Sequence, residues 1–297
     1  MSILCPIDFS DPSRGALRYA AVAAAYAGES LTLLTVNDPL LEQAAAMASG
    51  RGSLAAAARR ELEQFYNDTF SGRLPAISVE FAVATGKPDV EIHRLAEERQ
   101  TRVIVMSSRG ATGIRKLFLG SVTERVLRAT TVPVLVTPPA DGGPVTADDV
   151  RKTIRRILVP VDLTIAGSME HTVEHARHIG VILGAPILLI TVIEPVRAMV
   201  PGHAFAANVD NERRDQAEQR LQEFVDTLPE DPRVEPLVVF GEPAEEVAKI
   251  ATDRQAALIV MGLHASALPG ARMGSVTYRV LSVTHGLVLA LPPHATS

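Results

Sequence analysis

A short run of small residues, followed ten positions later by a Gly-Ser pair, is the pattern in this chain that could do chemistry. It reads Ser107-Ser108-Arg109-Gly110 and continues with Gly120-Ser121. A glycine lets backbone N–H groups approach an anion with no Cβ in the way. A Gly-Ser pair at the start of a helix offers N–H groups at the positive end of the helix dipole. The spacing therefore indicates a phosphate site, to which Arg109, Arg115 and Lys116 would add positive charge.

The same residues have a purely structural alternative. Residues 121–124 read Ser-Val-Thr-Glu, which fits a capping box with Ser121 at the N-cap and Glu124 at N3. A capping box needs no ligand, although it leaves other N–H groups of the first turn free. Both interpretations stay open at this point.

Two aspartates stand at corresponding places. Asp8 and Asp162 each follow an apolar strand-like run and precede a Ser or Thr. Either residue could cap the next helix. Alternatively, each could lie at the carboxyl end of its strand, where α/β sheets bind ligands, and face the base or sugar of a nucleotide.

These correspondences arise because the chain contains an internal sequence repeat. Residues 3–10 (ILCPIDFS) return as residues 157–164 (ILVPVDLT), and residues 120–123 (GSVT) return unchanged as residues 274–277. The repeat predicts two tandem copies of one domain, at 1–138 and 154–297. Residues 139–153 would form the linker, because Pro, Gly and Asp are frequent there.

Within each copy, short β-branched runs alternate with longer helical patterns. This alternation predicts α/β architecture, with parallel strands joined by right-handed helical crossovers. Each domain should be doubly wound, with a five-stranded parallel sheet between helices on both faces, because the strand runs are apolar throughout. Residues 37–52 and 194–208 are expected to be irregular.

Composition narrows the function. The 297 residues carry a formal net charge of −5 with no Lys/Arg-rich block, which argues against a nucleic-acid partner. The single cysteine, Cys5, lies in an apolar run, is expected to be buried and cannot form an internal disulfide, which fits a cytoplasmic location. No apolar run approaches the ~20 residues of a membrane span, so no membrane partner is expected.

Three segments together resemble the universal stress protein family. They are Pro6-Ile7-Asp8, Thr35-Val36-Asn37 and the pattern Ser107-x-x-Gly110-x9-Gly120-Ser121, which is similar to that family's nucleotide signature Gly-x-x-Gly-x9-Gly-Ser/Thr. The resemblance covers both copies. It implies the strand order 3-2-1-4-5, binding of ATP or AMP with or without Mg²⁺, and dimers joined through the last strand. The last strands of the two copies would then pair within one chain as an internal pseudo-dimer, and a homodimer is a further expectation.

The resemblance also implies site residues, carried over by position. In the first copy they are Pro6, Ile7, Asp8, Val36, Met106, Ser107, Arg109, Gly110, Gly120, Ser121, Val122 and Thr123. In the second copy they are Pro160, Val161, Asp162, Val192, Met261, Gly262, Gly274, Ser275, Val276 and Thr277.

Each copy departs from the signature in its own way. In the first, Ser107 replaces the first glycine. In the second copy, Gly262 matches the first glycine, but Ala265 replaces the second glycine. The stretch between Ala265 and Gly274 is also one residue shorter than in the signature. We therefore expect the first site to bind nucleotide better than the second.

The overall expectation is a cytoplasmic stress-response protein that binds an adenine nucleotide and acts as a signalling module, not a catalyst. Two other classes stay open: a nucleotide-free interaction protein with degenerate loops, and a slow ATPase that uses Asp8 or Mg²⁺. His171, His175 and His178 share one face of a predicted helix. A solvated polar face explains them better than a metal site does, although a metal stays open.

Overall fold

The computed structural model describes residues 1–48, 54–71, 75–110, 119–139, 143–144, 146–165, 167–196, 203–263 and 273–293. The chain divides into two compact units, Met1–Val150 and Arg151–Ser297. Each unit contributes five strands with their connecting helices and is described by itself.

The first unit alternates strands and helices. Its strands are β1 (Ser2–Pro6), β2 (Ser30–Asn37), β3 (Val79–Thr85), β4 (Thr101–Ser107) and β5 (Val134–Thr137). Its helices are α1 (Asp11–Ala27), α2 (Pro39–Ala48), α3 (Leu54–Phe70), α4 (Pro88–Glu98) and α5 (Ser121–Ala129), and α6 (Ala147–Thr153) crosses into the second unit.

All strand pairs within the first unit are parallel. Strand β1 lies between β2 and β4, β2 pairs outward with β3, and β4 pairs outward with β5. The order β3-β2-β1-β4-β5 confirms the one implied by the resemblance. Because the order reverses between β1 and β4, the chain leaves these two neighbouring strands toward opposite faces of the sheet, which opens a crevice at their carboxyl ends.

Helix α1 shows why this sequence folds onto the sheet. Ser10 is its N-cap and accepts a hydrogen bond from the Ser13 N–H, and Gly28 ends it in the left-handed conformation at φ 64°. Its buried face consists mostly of alanines that pack with Ile3, Cys5 and Ile7 of the first strand region. Small side chains let the helix lie close to the β-branched and leucine side chains of the sheet.

The second unit repeats this plan. Its strands are β6 (Ile157–Pro160), β7 (Ile187–Ile193), β8 (Val234–Phe240), β9 (Leu258–Gly262) and β10 (Leu287–Leu291). Its helices are α7 (Ser168–Leu183), α8 (His203–Asp226), α9 (Pro243–Asp253) and α10 (Ser275–Val283). The pairing is again parallel, in the order β8-β7-β6-β9-β10.

Helices occupy part of both segments expected to be irregular, 37–52 and 194–208, and part of the expected linker 139–153. In the segment 194–208, α8 begins at His203. In residues 37–52, α2 forms because the Asp38 side chain accepts the Leu40 N–H at 2.7 Å and Pro39 opens the helix. In the segment 139–153, α6 forms because Thr146 and Asp149 cap each other. The Asp149 carboxylate accepts the Thr146 N–H at 2.9 Å, and the Thr146 hydroxyl accepts the Asp149 N–H at 3.3 Å.

The buried thiol gives a direct test of the first core. Cys5 is 0% exposed. Burial, with a smaller contribution from the negative charge of Asp8, raises the pKa of the Cys5 thiol far above its usual range. We expect Cys5 to be unreactive toward a chromogenic disulfide reagent at pH 8 in the native protein and to react fully in urea. Rapid stoichiometric labelling of the native protein would contradict this packing.

Candidate functional site

In the crevice at the carboxyl ends of β1 and β4, the carboxylate of Asp8 lies against the backbone of Gly110. A Cβ added to Gly110 would lie only 2.4 Å from Asp8 Oδ2, which real side chains do not approach. No other residue type fits at position 110 while the Asp8 carboxylate stays in place. The contact therefore joins the segment after β1 to the segment after β4, which the sequence analysis identified as candidate sites independently.

The turn that follows β1 holds this carboxylate. Asp8 Oδ1 accepts the Ser10 N–H at 3.1 Å and the Ser10 hydroxyl at 2.5 Å. Asp8 is therefore not the cap of α1, since Ser10 has that role. Between them, Phe9 has a positive φ of 62°, and its ring packs edge-on against Phe65 of α3 at 5.7 Å. Aromatic packing thus stabilises a backbone conformation that a non-glycine residue rarely adopts.

Helix α5 begins without a side-chain cap. Its N-cap is Gly120, which has no side chain to offer, and Ser121 is already the first helical residue. The carboxylate of Glu124 instead accepts from Arg128 at 2.8 Å. The capping-box interpretation, with Ser121 at the N-cap, is therefore wrong. Helix geometry leaves the first N–H groups, including those of Ser121 and Val122, without a partner inside the helix.

Two hydrogen bonds hold that helix start against the end of β4. The Gly120 N–H donates to the Ser108 carbonyl at 2.8 Å, and the buried Thr123 hydroxyl donates to the Ser107 carbonyl at 2.9 Å. A Cβ on Gly120 would lie 3.3 Å from the Ser108 carbonyl oxygen. The position is therefore tight for a side chain, whereas its backbone angles, φ −60° and ψ 139°, are open to any residue.

The remaining site residues of the first unit line the same strand ends. Ile7 is buried, and its N–H extends the pairing of β1 by donating to the Leu34 carbonyl at 2.8 Å. Met106 is 5% exposed and Ser107 is 8% exposed. The Ser107 hydroxyl accepts the Arg109 N–H at 3.3 Å, which starts the turn toward Gly110. Partly buried residues complete the set, namely Pro6, Val36, Arg109 and Val122, while Ser121 is exposed.

The second unit keeps most of this framework. Asp162 Oδ1 accepts the Thr164 N–H at 2.8 Å and the Thr164 hydroxyl at 2.6 Å, as Asp8 does with Ser10. Gly274 is the N-cap of α10, and the Thr277 hydroxyl donates to the Gly262 carbonyl at 3.2 Å. The other site residues of this unit are buried (Val161, Met261), partly buried (Pro160, Val192) or exposed (Ser275, Val276).

The loops between the two halves of each signature lie outside the described residues. In the first unit this applies to Arg115 and Lys116, and in the second to Ala265 and the shortened stretch that follows it. The contribution of these basic side chains to an anion site therefore stays a sequence-based prediction.

Polar residues at neighbouring strand ends were absent from the sequence-based site. The Asn37 amide donates to Glu42 Oε2 at 3.0 Å, and the Thr85 hydroxyl donates to the same oxygen at 3.3 Å. Ser10 and Ser108, which make the bonds described above, stood in the quoted motifs but were not assigned to the site. The available signal was a polar residue at or directly after the end of an apolar strand, which Asn37, Thr85 and Ser108 share. Ser10 lies in the turn after β1, and Glu42 lies on α2.

Other candidate sites receive less support. The His171 and His175 rings pack at 4.6 Å, and His175 Nδ1 is 3.0 Å from the His171 carbonyl oxygen. Across the residues that the structure describes, no group of three or more His, Cys, Asp or Glu side chains could hold a metal ion. In the same residues, no helix is both long and apolar enough to cross a membrane.

Comparison with known proteins finds the same family in both halves. The model of the universal stress protein family matches residues 1–138 and 153–292. The curated universal stress protein MJ0577 of Methanocaldococcus jannaschii is 28% identical over 152 residues, which is 45% of this chain and 92% of that protein.

Solved structures match the tandem arrangement over nearly the whole chain. A universal stress protein from Archaeoglobus fulgidus aligns with a TM-score of 0.65 and 22% identity, covering 98% of this chain and 95% of that one. A putative universal stress protein from Pseudomonas aeruginosa aligns with a TM-score of 0.64 and 19% identity, covering 98% of this chain and 93% of that one. At these identities the matches show the fold alone.

The Asp8–Gly110 contact predicts a measurable coupling. Gly110→Ala should lower the free energy of unfolding by about 0.5–1.5 kcal/mol, because the new methyl group displaces the carboxylate from its hydrogen bonds with Ser10. In an Asp8→Ala background the same change should cost much less, since the colliding oxygen is gone. Urea unfolding of the wild type, both single variants and the double variant measures the coupling, expected at about 0.5 kcal/mol or more. Additive effects of the two substitutions would show that the residues do not touch.

Proposed function

The chain belongs to the universal stress protein family, with one family domain in each half, and from this membership we propose that the first domain binds an adenine nucleotide, ATP or AMP. The phosphates bind at the start of α5. The base and ribose lie toward the ends of β1 and β2, where Asp8 and Val36 stand.

The observation that carries the proposal is the start of α5. The helix begins at a glycine without a side-chain cap, so the N–H groups of its first turn have no partner inside the helix, and two hydrogen bonds fix it against β4. Uncapped N–H groups and the positive end of the helix dipole together favour phosphate. Because the helix start is already held in place, binding costs little reorganisation.

Asp8 supports the nucleoside end of the proposal. An ionised carboxylate only accepts hydrogen bonds, so it suits ribose hydroxyls or an amino group and disfavours a phosphate beside it. Any Mg²⁺ that accompanies the nucleotide would be held chiefly by the phosphates.

The second domain binds more weakly in this proposal. It retains the Asp162 turn, the Gly274 N-cap and the Thr277 hydrogen bond. However, Ala265 occupies the position of Gly110 in the signature. In the first domain, a Cβ at that position would collide with the carboxylate.

We place the protein in the cytoplasm as a stress-response module whose state is read through its bound nucleotide, not as a catalyst. The proposal is supported by the arrangement of the Asp8 carboxylate. Asp8 Oδ1 accepts two hydrogen bonds from Ser10, and Oδ2 lies against Gly110, so the carboxylate is held by groups of the protein itself.

Isothermal calorimetry with ATP and AMP tests the binding proposal. Gly120→Val should weaken binding by about tenfold or more, because the added side chain meets the Ser108 carbonyl and displaces the helix start. The matched change Gly274→Val should leave the stronger binding event unchanged. Absence of binding to the wild type at millimolar nucleotide would overturn the proposal, and equal losses in both variants would overturn the asymmetry.

A phosphate-release assay tests the absence of turnover. We expect the wild type to release phosphate from ATP no faster than the Ser121→Ala variant does, because the Asp8 carboxylate is held by Ser10 and is assigned to the nucleoside end of the site. Release by the wild type clearly above that variant, together with dependence on Mg²⁺, would identify a slow ATPase instead.

A further inference from the structure

A basic groove lies at the opposite edge of the second unit's sheet from Asp162 and Gly274. It runs past the amino ends of β9 and β10 and has a volume of about 710 Å³. Its cations are Lys152 on α6, Arg155 in the segment between α6 and β6, and Lys249 on α9. From this groove and its charge we propose a second binding site, for a small molecule that carries two or more phosphate groups on an apolar body.

The charge of the groove is one-sided. Its lining contains no Asp or Glu within the described part of the chain, although the chain as a whole has a net charge of −5. Among the described residues, neither Lys152 nor Arg155 forms an ion pair, whereas Lys249 pairs with Glu246 at 3.4 Å. A smaller groove that shares Arg155 adds Arg156 and Arg254 against the single carboxylate of Asp253. Such an excess of arginine and lysine favours phosphate, which accepts several charge-assisted hydrogen bonds at once.

The first unit shows how the groove arose. At the matching edge of its sheet, Arg102 forms an ion pair with the nearly buried Glu29 at 2.7 Å. The corresponding residues of the second unit are Ala257 and Ala185, so both side chains of the pair are truncated. Glu29 and Ala185 are matched because each directly follows a left-handed glycine that ends a helix, Gly28 and Gly184.

A third truncation widens the same place. Val132 of the first unit corresponds to Gly286, which lines the groove. A Cβ on Gly286 would lie 3.0 Å from the Ala257 carbonyl oxygen, so the close approach of these two strand starts keeps the position small. The loss of an ion pair and of a valine side chain leaves space where the first unit is filled.

The neutralisation of nearby cations also differs between the units. In the first unit, Arg94 pairs with Glu91 and Glu98, and Arg99 pairs with Glu80 at 2.6 Å. Arg254 corresponds to Arg99, but the equivalent of Glu80, which is Glu235, pairs with Arg233 instead. The second unit thus has both the space and the uncompensated charge that the first unit lacks at these positions.

The apolar part of the lining, called here the apolar floor, explains the apolar body of the ligand. It consists of Ile259, Val283 and several alanines. Sites for small molecules are typically about 300–1,000 Å³, mostly apolar, with a few charged groups that fix orientation. The groove fits that description, with the cations placed for phosphates and the apolar floor for the rest of the molecule.

Calorimetry with ATP as the probe tests the site. The protein carries Gly120→Val and Gly274→Val, so that the signature loops no longer contribute. We expect ATP to bind this protein, and Lys152→Glu with Arg155→Glu to weaken that binding by about tenfold, because two attractive charges become repulsive. The matched control is Arg94→Glu with Arg99→Glu on the first unit, which changes the net charge equally and should leave the affinity unchanged.

Two results would overturn the site. They are the absence of any ATP binding in the glycine variant, and equal weakening by the groove and control variants, which would reveal only non-specific attraction. If the glycine variant does not fold, photo-crosslinking of wild-type protein with azido-ATP replaces it. Labelled peptides that contain residues 248–259 or 283–286 support the groove, and labelling confined to the strand-end loops contradicts it.

Discussion

The contact between the Asp8 carboxylate and Gly110 is the constraint on which the first site depends. It lies where the order of the strands reverses, so the chain leaving β1 enters α1 on one face and the chain leaving β4 reaches α5 on the other. The absence of a Cβ at position 110 lets the two strand ends meet. Everything else at the site, from the turn at Phe9 to the start of α5, is arranged around this meeting point.

The sequence predicted the frame of the site better than its details. The repeated strand-end aspartates and the Gly-Ser pairs placed the candidate residues at the correct edge of each sheet. The position of the helix cap was wrong by one residue, because glycine and serine are both common N-caps and local sequence does not separate them. The decision is tertiary, since the Thr123 hydroxyl binds the Ser107 carbonyl and so sets where α5 begins.

The helices that sequence reasoning missed have a similar physical reason. In α2, Leu40, Leu41 and Met47 are all exposed, so the apolar residues of this helix do not mark a face that is buried in the first unit. The Asp38-Pro39 pair was the sequence signal for the start of that helix. The sequence also did not predict the groove of the second unit. The groove is recognised by comparison with the first unit, where Arg102 and Glu29 form an ion pair although they are distant in the sequence.

A site built on main-chain N–H groups has an evolutionary consequence. Every amino acid carries the same N–H, so most substitutions along the first turn of α5 would leave the donors in place. The vulnerable positions are the glycines, where a single codon change that adds one methyl group is enough to block the approach. After duplication, a single substitution can therefore abolish ligand binding in one half of such a chain while the fold of that half persists. The surface that no longer binds the ligand can then evolve a different specificity.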